Sequence, residues 1–284
     1  MDLSIIGLGH AFKKQYKAIK LSNKFKYIKL CDNKKFKFNI IKDHRNLNTK
    51  NILISTSPNN HLQILKDFNN KNIILEKPLV KNINELNELK KNLETNNIFS
   101  SLHYSYGKEI EYFINELKIK EKPKKIYCYI SDKYIKKHHI KKRQLGLCGA
   151  YLDETINPLS AICRIFGYDI KFIDVKKKKY PDDKYDYYSL SKFIVNDIPI
   201  DIEVNWNNNH NDKYIKLIYE DKIITLDSMK QQVLLNDKVI YKAHGDRMTN
   251  HYIGVFKDFT NNIDNIQNSI KMHEELLLGV RNEN

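Results

Sequence analysis

Four places in this chain of 284 residues hold residues whose types and spacing could do chemistry. In the run SIIGLGHAF, Gly7 and Gly9 follow a strand-like segment and precede a helical one. Such a turn presents backbone amides and a helix N-terminus, which suit a diphosphate. The third position of this fingerprint is Phe12, where glycine or alanine is usual. Its bulk is expected to push the helix off the strand or redirect the loop. Asp32 ends the next strand-like run, roughly twenty residues after the glycines, where a carboxylate can accept from ribose hydroxyls. That favours NAD over NADP, although Lys34 and Lys35 follow at once and could neutralise a 2′-phosphate. Asp153 and Asn157 stand four residues apart, on one face if their segment is helical. An amide exchanges no proton near neutral pH, so Asn157 can orient a ligand but cannot act as general acid or base. His103 lies near the carboxyl end of a strand-like run, the rim at which doubly wound sheets bind ligands.

The elements that must position these groups are legible as periodicities. Strand-like runs at Leu3–Gly7, Lys26–Cys31, Asn51–Thr56, Asn72–Glu76 and Asn97–Tyr104 alternate with helical segments such as His61–Phe68 and Ile83–Glu94. That alternation predicts a parallel sheet with crossover helices. The crossover after Cys31 is short, so its helix is expected to shrink to a turn and leave that end of the sheet irregular. Past Lys118 the pattern changes, with the boundary at Glu121–Lys125. A strand, a helix from about Gly149 to Phe166, alternating runs such as IDIEVNW and IKLIY, and two closing helices predict an antiparallel or mixed sheet. The expected architecture is α/β: an N-terminal Rossmann domain with a doubly wound parallel sheet over 1–119, and a C-terminal α+β domain with a large, mostly antiparallel open sheet over 120–284.

Composition narrows the partners. The net charge of +15, with basic stretches Lys136–Arg143 and Lys176–Lys179, raises nucleic-acid binding. Only Arg45, Arg143, Arg164, Arg247 and Arg281 among the 49 basic residues are arginine, however. A chain this poor in bidentate forks is not built to read bases, and specific nucleic-acid binding is not expected. Attraction to anionic substrates remains reasonable. The four cysteines show no metal-ligand spacing and read as reduced structural thiols; no metal is expected. No apolar run approaches membrane-spanning length and the start lacks a signal-peptide pattern, so a cytoplasmic location without membrane attachment is expected.

The segment ILISTSPNNHLQILKDFNNKNIILEKPL, residues 52–79, resembles the Gfo/Idh/MocA oxidoreductases. It supplies a strand ending in a Thr-Pro-like turn (Thr56, Pro58), a helix opened by His61, and a strand ending in Glu76-Lys77-Pro78. The resemblance continues through GAYLDETINPLSAICRIFG and HYIGVFKDF and so covers essentially the whole chain. It implies hydride transfer between NAD, or NADP, and a sugar, inositol or nucleotide-sugar carbinol or ketone, in a homo-oligomer, dimer or tetramer. It places Gly7, Gly9, His10, Asp32, Thr56, Pro58, His61, Glu76 and Lys77 at the cofactor. It makes Lys77 the catalytic lysine, with its ammonium form expected to be disfavoured by desolvation, and Asp153 its partner. Where the family usually has histidine or tyrosine, this chain has Asn157. Three alternatives follow: Lys77 carries the proton alone, His103, Tyr104 or Tyr151 substitutes, or the chain is a non-catalytic homologue that keeps only dinucleotide or sugar binding.

Overall fold

The computed structural model describes residues 1–34, 36, 39–133, 148–179 and 184–281. Five parallel strands, β1 (Asp2–Ile6), β2 (Tyr27–Cys31), β3 (Asn51–Ile54), β4 (Asn72–Glu76) and β5 (Asn97–Ser101), pair in the order β2-β1-β3-β4-β5. The order reverses between β1 and β3, which opens a crevice at their carboxyl ends. As expected of the short crossover, the edge beyond β2 is reduced to a single parallel bridge, Cys31 to Ile41, followed by a short turn of helix at His44–Asn46.

The strands are apolar on both faces because both faces are covered. Leu3, Ile5, Leu53, Ile74 and Phe99 pack under α1 (Phe12–Ser22). Ile52, Ile54, Ile73, Leu75 and Ile98 face the side of α2 (His61–Leu65) and α3 (Ile83–Asn92). β5 stops at Ser101, earlier than its apolar pattern suggests, and His103–Tyr106 form a tight helical turn before the short α4 (Lys108–Tyr112).

The second sheet has eight strands: β6 (Lys125–Ser131), β7 (Ile170–Lys179), β8 (Asp186–Val195), β9 (Ile198–Asn205), β10 (Lys213–Ile218), β11 (Ile223–Asp227), β12 (Gln232–Leu235) and β13 (Lys238–Lys242). Among the described residues of this sheet only the β6–β9 pairing is parallel. α5 (Ala150–Phe166) packs against β8 and β9. The lysine run 176–179 proves to be the end of edge strand β7, where exposed charges deter pairing with another chain. The other basic stretch, Lys136–Arg143, lies outside the described residues. The chain closes with α6 (Arg247–Thr260) and α7 (Ile266–Arg281). Both return to the first sheet: Tyr252, Val255, Phe256 and Phe259 of α6 join the cluster under α1, and Met272 and Leu276 of α7 join the opposite one. All four cysteines are buried and free.

Candidate active site

The sequence after β1 turns sharply because Gly7 has φ of 92°, a backbone region that L side chains avoid. A Cβ there would stand 2.8 Å from the backbone of Ser55, whereas one on the exposed Gly9 would meet nothing within 4 Å. Gly7 therefore serves the fold, and Gly9 leaves open space above the loop. The Leu8 amide donates to Asp32 Oδ2 at 2.8 Å and the Lys34 amide to Oδ1 at 2.9 Å, so Asp32 at the end of β2 shapes the loop as well as its rim. His10 is exposed in the turn leading to α1. These features fit a dinucleotide, whose diphosphate needs close backbone approach and whose ribose needs an acceptor.

We expect Gly7→Ala to lose about 2 kcal/mol or more of stability through strain and overlap. Gly9→Ala should leave thermal unfolding nearly unchanged yet weaken NADH binding at least ~10-fold, a free-energy difference of about 1.4 kcal/mol. Wild-type NADH affinity in Gly9→Ala would show that this loop is not the phosphate cradle.

Phe12 begins α1 half-buried, with its ring 5.4 Å from that of Tyr16. The helix is tied to the sheet instead by Gln15, fully buried, which accepts from Ser55 Oγ at 2.8 Å and donates to Glu76 Oε1 at 2.5 Å. Glu76 Oε1 also accepts from Ser101 Oγ at 3.0 Å and from Tyr252 of α6 at 2.9 Å, and Oε2 accepts from the Lys77 amide at 3.2 Å. Burial pushes its pKa up. Glu76 thus positions Lys77 from beneath.

His61 is fully buried, with Nδ1 3.1 Å from the Leu79 carbonyl and Nε2 3.2 Å from that of Thr56. It joins the β3 turn to the segment after Lys77 and takes a positioning place behind the crevice. His273 of α7 completes this support: its Nδ1 donates to Ser269 and its Nε2 accepts from the Leu79 amide at 3.0 Å. Burial holds it down at about 4, so it stays neutral. Thr56 is half-buried at the rim and Pro58 is buried beneath it.

Lys77 Nζ reaches across to α5, donating to Asp153 Oδ1 at 2.9 Å and to the Asp153 carbonyl at 2.8 Å. The helix is aimed by Asp186, whose carboxylate takes the Tyr151 amide at 2.7 Å. Burial works against the Lys77 ammonium, but Asp153, Glu154 and Glu76 outweigh it and lift its pKa above the ordinary lysine range. This corrects the expectation of a desolvated, readily deprotonated amine: lysine and acid are buried together. Burial pushes Asp153 up to about 6, Lys77 offsetting it only in part. Burial also opposes the Glu154 carboxylate, but Lys213 and Lys77 hold it at about 2.

Asn157 spends its amide on Glu154 Oε2, donating at 2.8 Å, so it fixes a neighbouring acid. Lys213 of β10 lies 3.5 Å from that oxygen and 2.6 Å from Asp132. His103 Nδ1 lies 3.4 Å from His251 Nδ1, and burial drives both rings well below the usual histidine pKa. Tyr151 commits its hydroxyl to the Leu276 carbonyl at 2.9 Å, and the buried Tyr104 hydroxyl has no partner. Sequence reasoning missed Gln15, Tyr252, His273, Glu154, Lys213 and Asp132. Only Glu154, beside Asp153, carried a local signal. Among the described residues no three acids, histidines or cysteines could hold a metal ion.

No protein-family model matches the chain, and no curated protein matches it in sequence. Solved structures match in fold. An oxidoreductase from Thermotoga maritima is 15% identical with a TM-score of 0.79, the match covering 99% of this chain and 96% of the other. A myo-inositol 2-dehydrogenase from Lactobacillus plantarum is also 15% identical, with a TM-score of 0.77 and the same coverage. A mutant 3-ketoreductase from Actinomadura kijaniata, solved with TDP-benzene and NADP, is 10% identical with a TM-score of 0.80, covering 99% of this chain and 97% of the other. Over nearly its whole length the chain has the fold of the Gfo/Idh/MocA-type oxidoreductases, a parallel five-stranded sheet followed by a larger, mostly antiparallel one.

Proposed function

We propose that the chain is an NAD(P)-dependent oxidoreductase, with NAD preferred, that moves a hydride between nicotinamide C4 and the carbinol or ketone carbon of a sugar, inositol or nucleotide sugar. The carrying observation is the Lys77–Asp153 pair, buried at the end of β4 two strands from the glycine loop. The inositol dehydrogenase and the NADP-bound ketoreductase of the same fold support the substrate class and the cofactor. Gly7 and Gly9 shape the diphosphate loop, and Asp32 faces the adenosine ribose; the dinucleotide supplies the hydride acceptor or donor. Residues 1–119 serve the cofactor and 120–284 the substrate and self-association, in a cytoplasmic homodimer or tetramer that binds no specific nucleic acid. Among the described residues no helix is long and apolar enough to cross a membrane.

Lys77 has three N–H donors and Asp153 takes two, which leaves the third for the reacting oxygen of the substrate. In oxidation Nζ first passes a proton to Asp153 Oδ1, and the neutral amine then turns its freed lone pair to the substrate and takes the hydroxyl proton. With Asp153 at about 6, that carboxylate is mostly ionised at pH 7 and able to accept. Reduction returns the proton along the same line. No step needs Asn157.

The test is titration of the protein with NADH and NADPH, followed by nicotinamide fluorescence and thermal shift. NADH is expected to bind more tightly. Asp32→Ala should weaken NADH about 10-fold, a loss of about 1.4 kcal/mol, and NADPH less. No binding of either nucleotide at millimolar concentration would end this reading and leave the non-catalytic homologue, for which the commitment of Asn157 to Glu154 speaks.

A further inference from the structure

The face of α6 that meets the 103–106 turn carries two groups unused so far. Arg247 and His251 stand four residues apart, one turn above the other. His251 approaches His103 through Nδ1, and its Nε2, fully buried, has no partner. Arg247 is half-buried, and no ion pair or hydrogen bond joins its guanidinium to another of the described residues. The neighbouring cations are matched: Lys77 by Asp153 at 2.9 Å, Lys213 by Asp132 at 2.6 Å. Behind the burial and the His251 ring that act first on His103, the charges of Lys77, Arg247 and Lys213 all disfavour its imidazolium, so all three lie within electrostatic reach of that ring. Of these charges Arg247 alone lacks a counter-ion. A nearby buried acid, Glu109, feels the Arg247 charge but forms no hydrogen bond or ion pair with it, and burial lifts it to about 7.

A planar guanidinium held without a carboxylate, on the same helix face as an imidazole whose Nε2 has no partner, is a receptor for a bidentate oxyanion. We infer that Arg247 anchors a carboxylate or phosphoryl group of the substrate whose reacting oxygen Lys77 holds, an inference that rests on the oxidoreductase reading. The same chemistry is present in a dinucleotide's diphosphate. That source is close in the fold, because Asp246, next to Arg247, pairs with Lys14 of α1 at 2.7 Å.

The two sources separate in one experiment on the full chain, with inorganic phosphate as the probe. In protein saturated with NADH, phosphate should raise the unfolding temperature saturably beyond potassium chloride of equal ionic strength. Arg247→Gln should weaken that response at least 10-fold and Arg247→Lys several-fold, while NADH affinity stays within twofold of the unmutated protein. A phosphate response no greater than that of chloride, or one undiminished in Arg247→Gln, overturns the inference. A parallel loss of NADH affinity in Arg247→Gln also overturns it, by assigning the guanidinium to the cofactor. Failure of NADH to bind the unmutated protein overturns the oxidoreductase reading itself, whereas loss of the phosphate response alone overturns only this inference.

Discussion

Lys77→Met is expected to lower kcat/KM about a thousandfold while NADH still binds, because the group that holds the reacting oxygen and relays its proton is gone. The substitution should also cost about 3 kcal/mol of stability, since Asp153 and Glu154 are left buried without one of the cations that face them. The pH dependence of that cost separates it from simple loss of packing. In the folded wild type Asp153 already sits at about 6, above its unfolded value, and without Lys77 it moves further up. A carboxyl whose folded pKa is raised contributes stability that is present below the unfolded value, near 3.9, and lost as pH rises through the folded one. The deficit of Lys77→Met should therefore widen from pH 5 to pH 8 in urea unfolding. A constant deficit would show that Lys77 and Asp153 do not share their charge, and unchanged turnover with NADH bound would remove Lys77 from the chemistry.

Lys77 and Asp153 lie 76 positions apart, yet each could be found in the sequence because a strong local pattern surrounds it. An apolar strand run places Glu-Lys-Pro at a sheet end, and a helical run presents Asp153 at the foot of a helix. Their ionisation was not legible. Desolvation of a lone lysine argues for a depressed pKa, and only the fold reveals that its partners are buried with it and reverse the sign. The same holds for the supports: Tyr252 meets Glu76 across 176 positions and His273 meets Leu79 across 194. No window of sequence contains such a pair. That Asn157 exchanges no proton follows from its residue type alone, but its bond to Glu154 depends on a side-chain direction that spacing does not give. Lys176–Lys179 read as a patch because four like charges hide the alternation of an edge strand. α6 begins at Arg247, where Asp246 caps its first turn by accepting from the Thr249 amide and hydroxyl. That first turn, Arg247–Asn250, lacks the apolar stripe by which helices are recognised.

Glu76→Ala is expected to be the most destabilising single change in the first sheet, by about 3–5 kcal/mol. One carboxylate oxygen collects Gln15 from α1, Ser101 from β5 and Tyr252 from α6, and the other takes the Lys77 amide. Truncation leaves buried donors from three elements without an acceptor, and each such donor costs about 1–3 kcal/mol unless water enters. Glu76→Gln tests the charge separately from the shape. Its carbonyl can keep the three side-chain bonds, but its amino group must face the Lys77 amide, donor against donor, so a loss of about 1–2 kcal/mol is expected. Because burial raises the pKa of Glu76, its contribution is greatest below the unfolded value of about 4.3 and fades as pH rises through the folded value. The glutamine carries no such titration, so its deficit against wild type should be larger at pH 5 than at pH 8. A deficit independent of pH would mean that Glu76 is ionised as readily in the fold as outside it. The three anchored elements are also those that meet behind Lys77, so both variants should lower kcat more than they raise KM: a displaced Nζ still meets substrate but no longer aligns its proton.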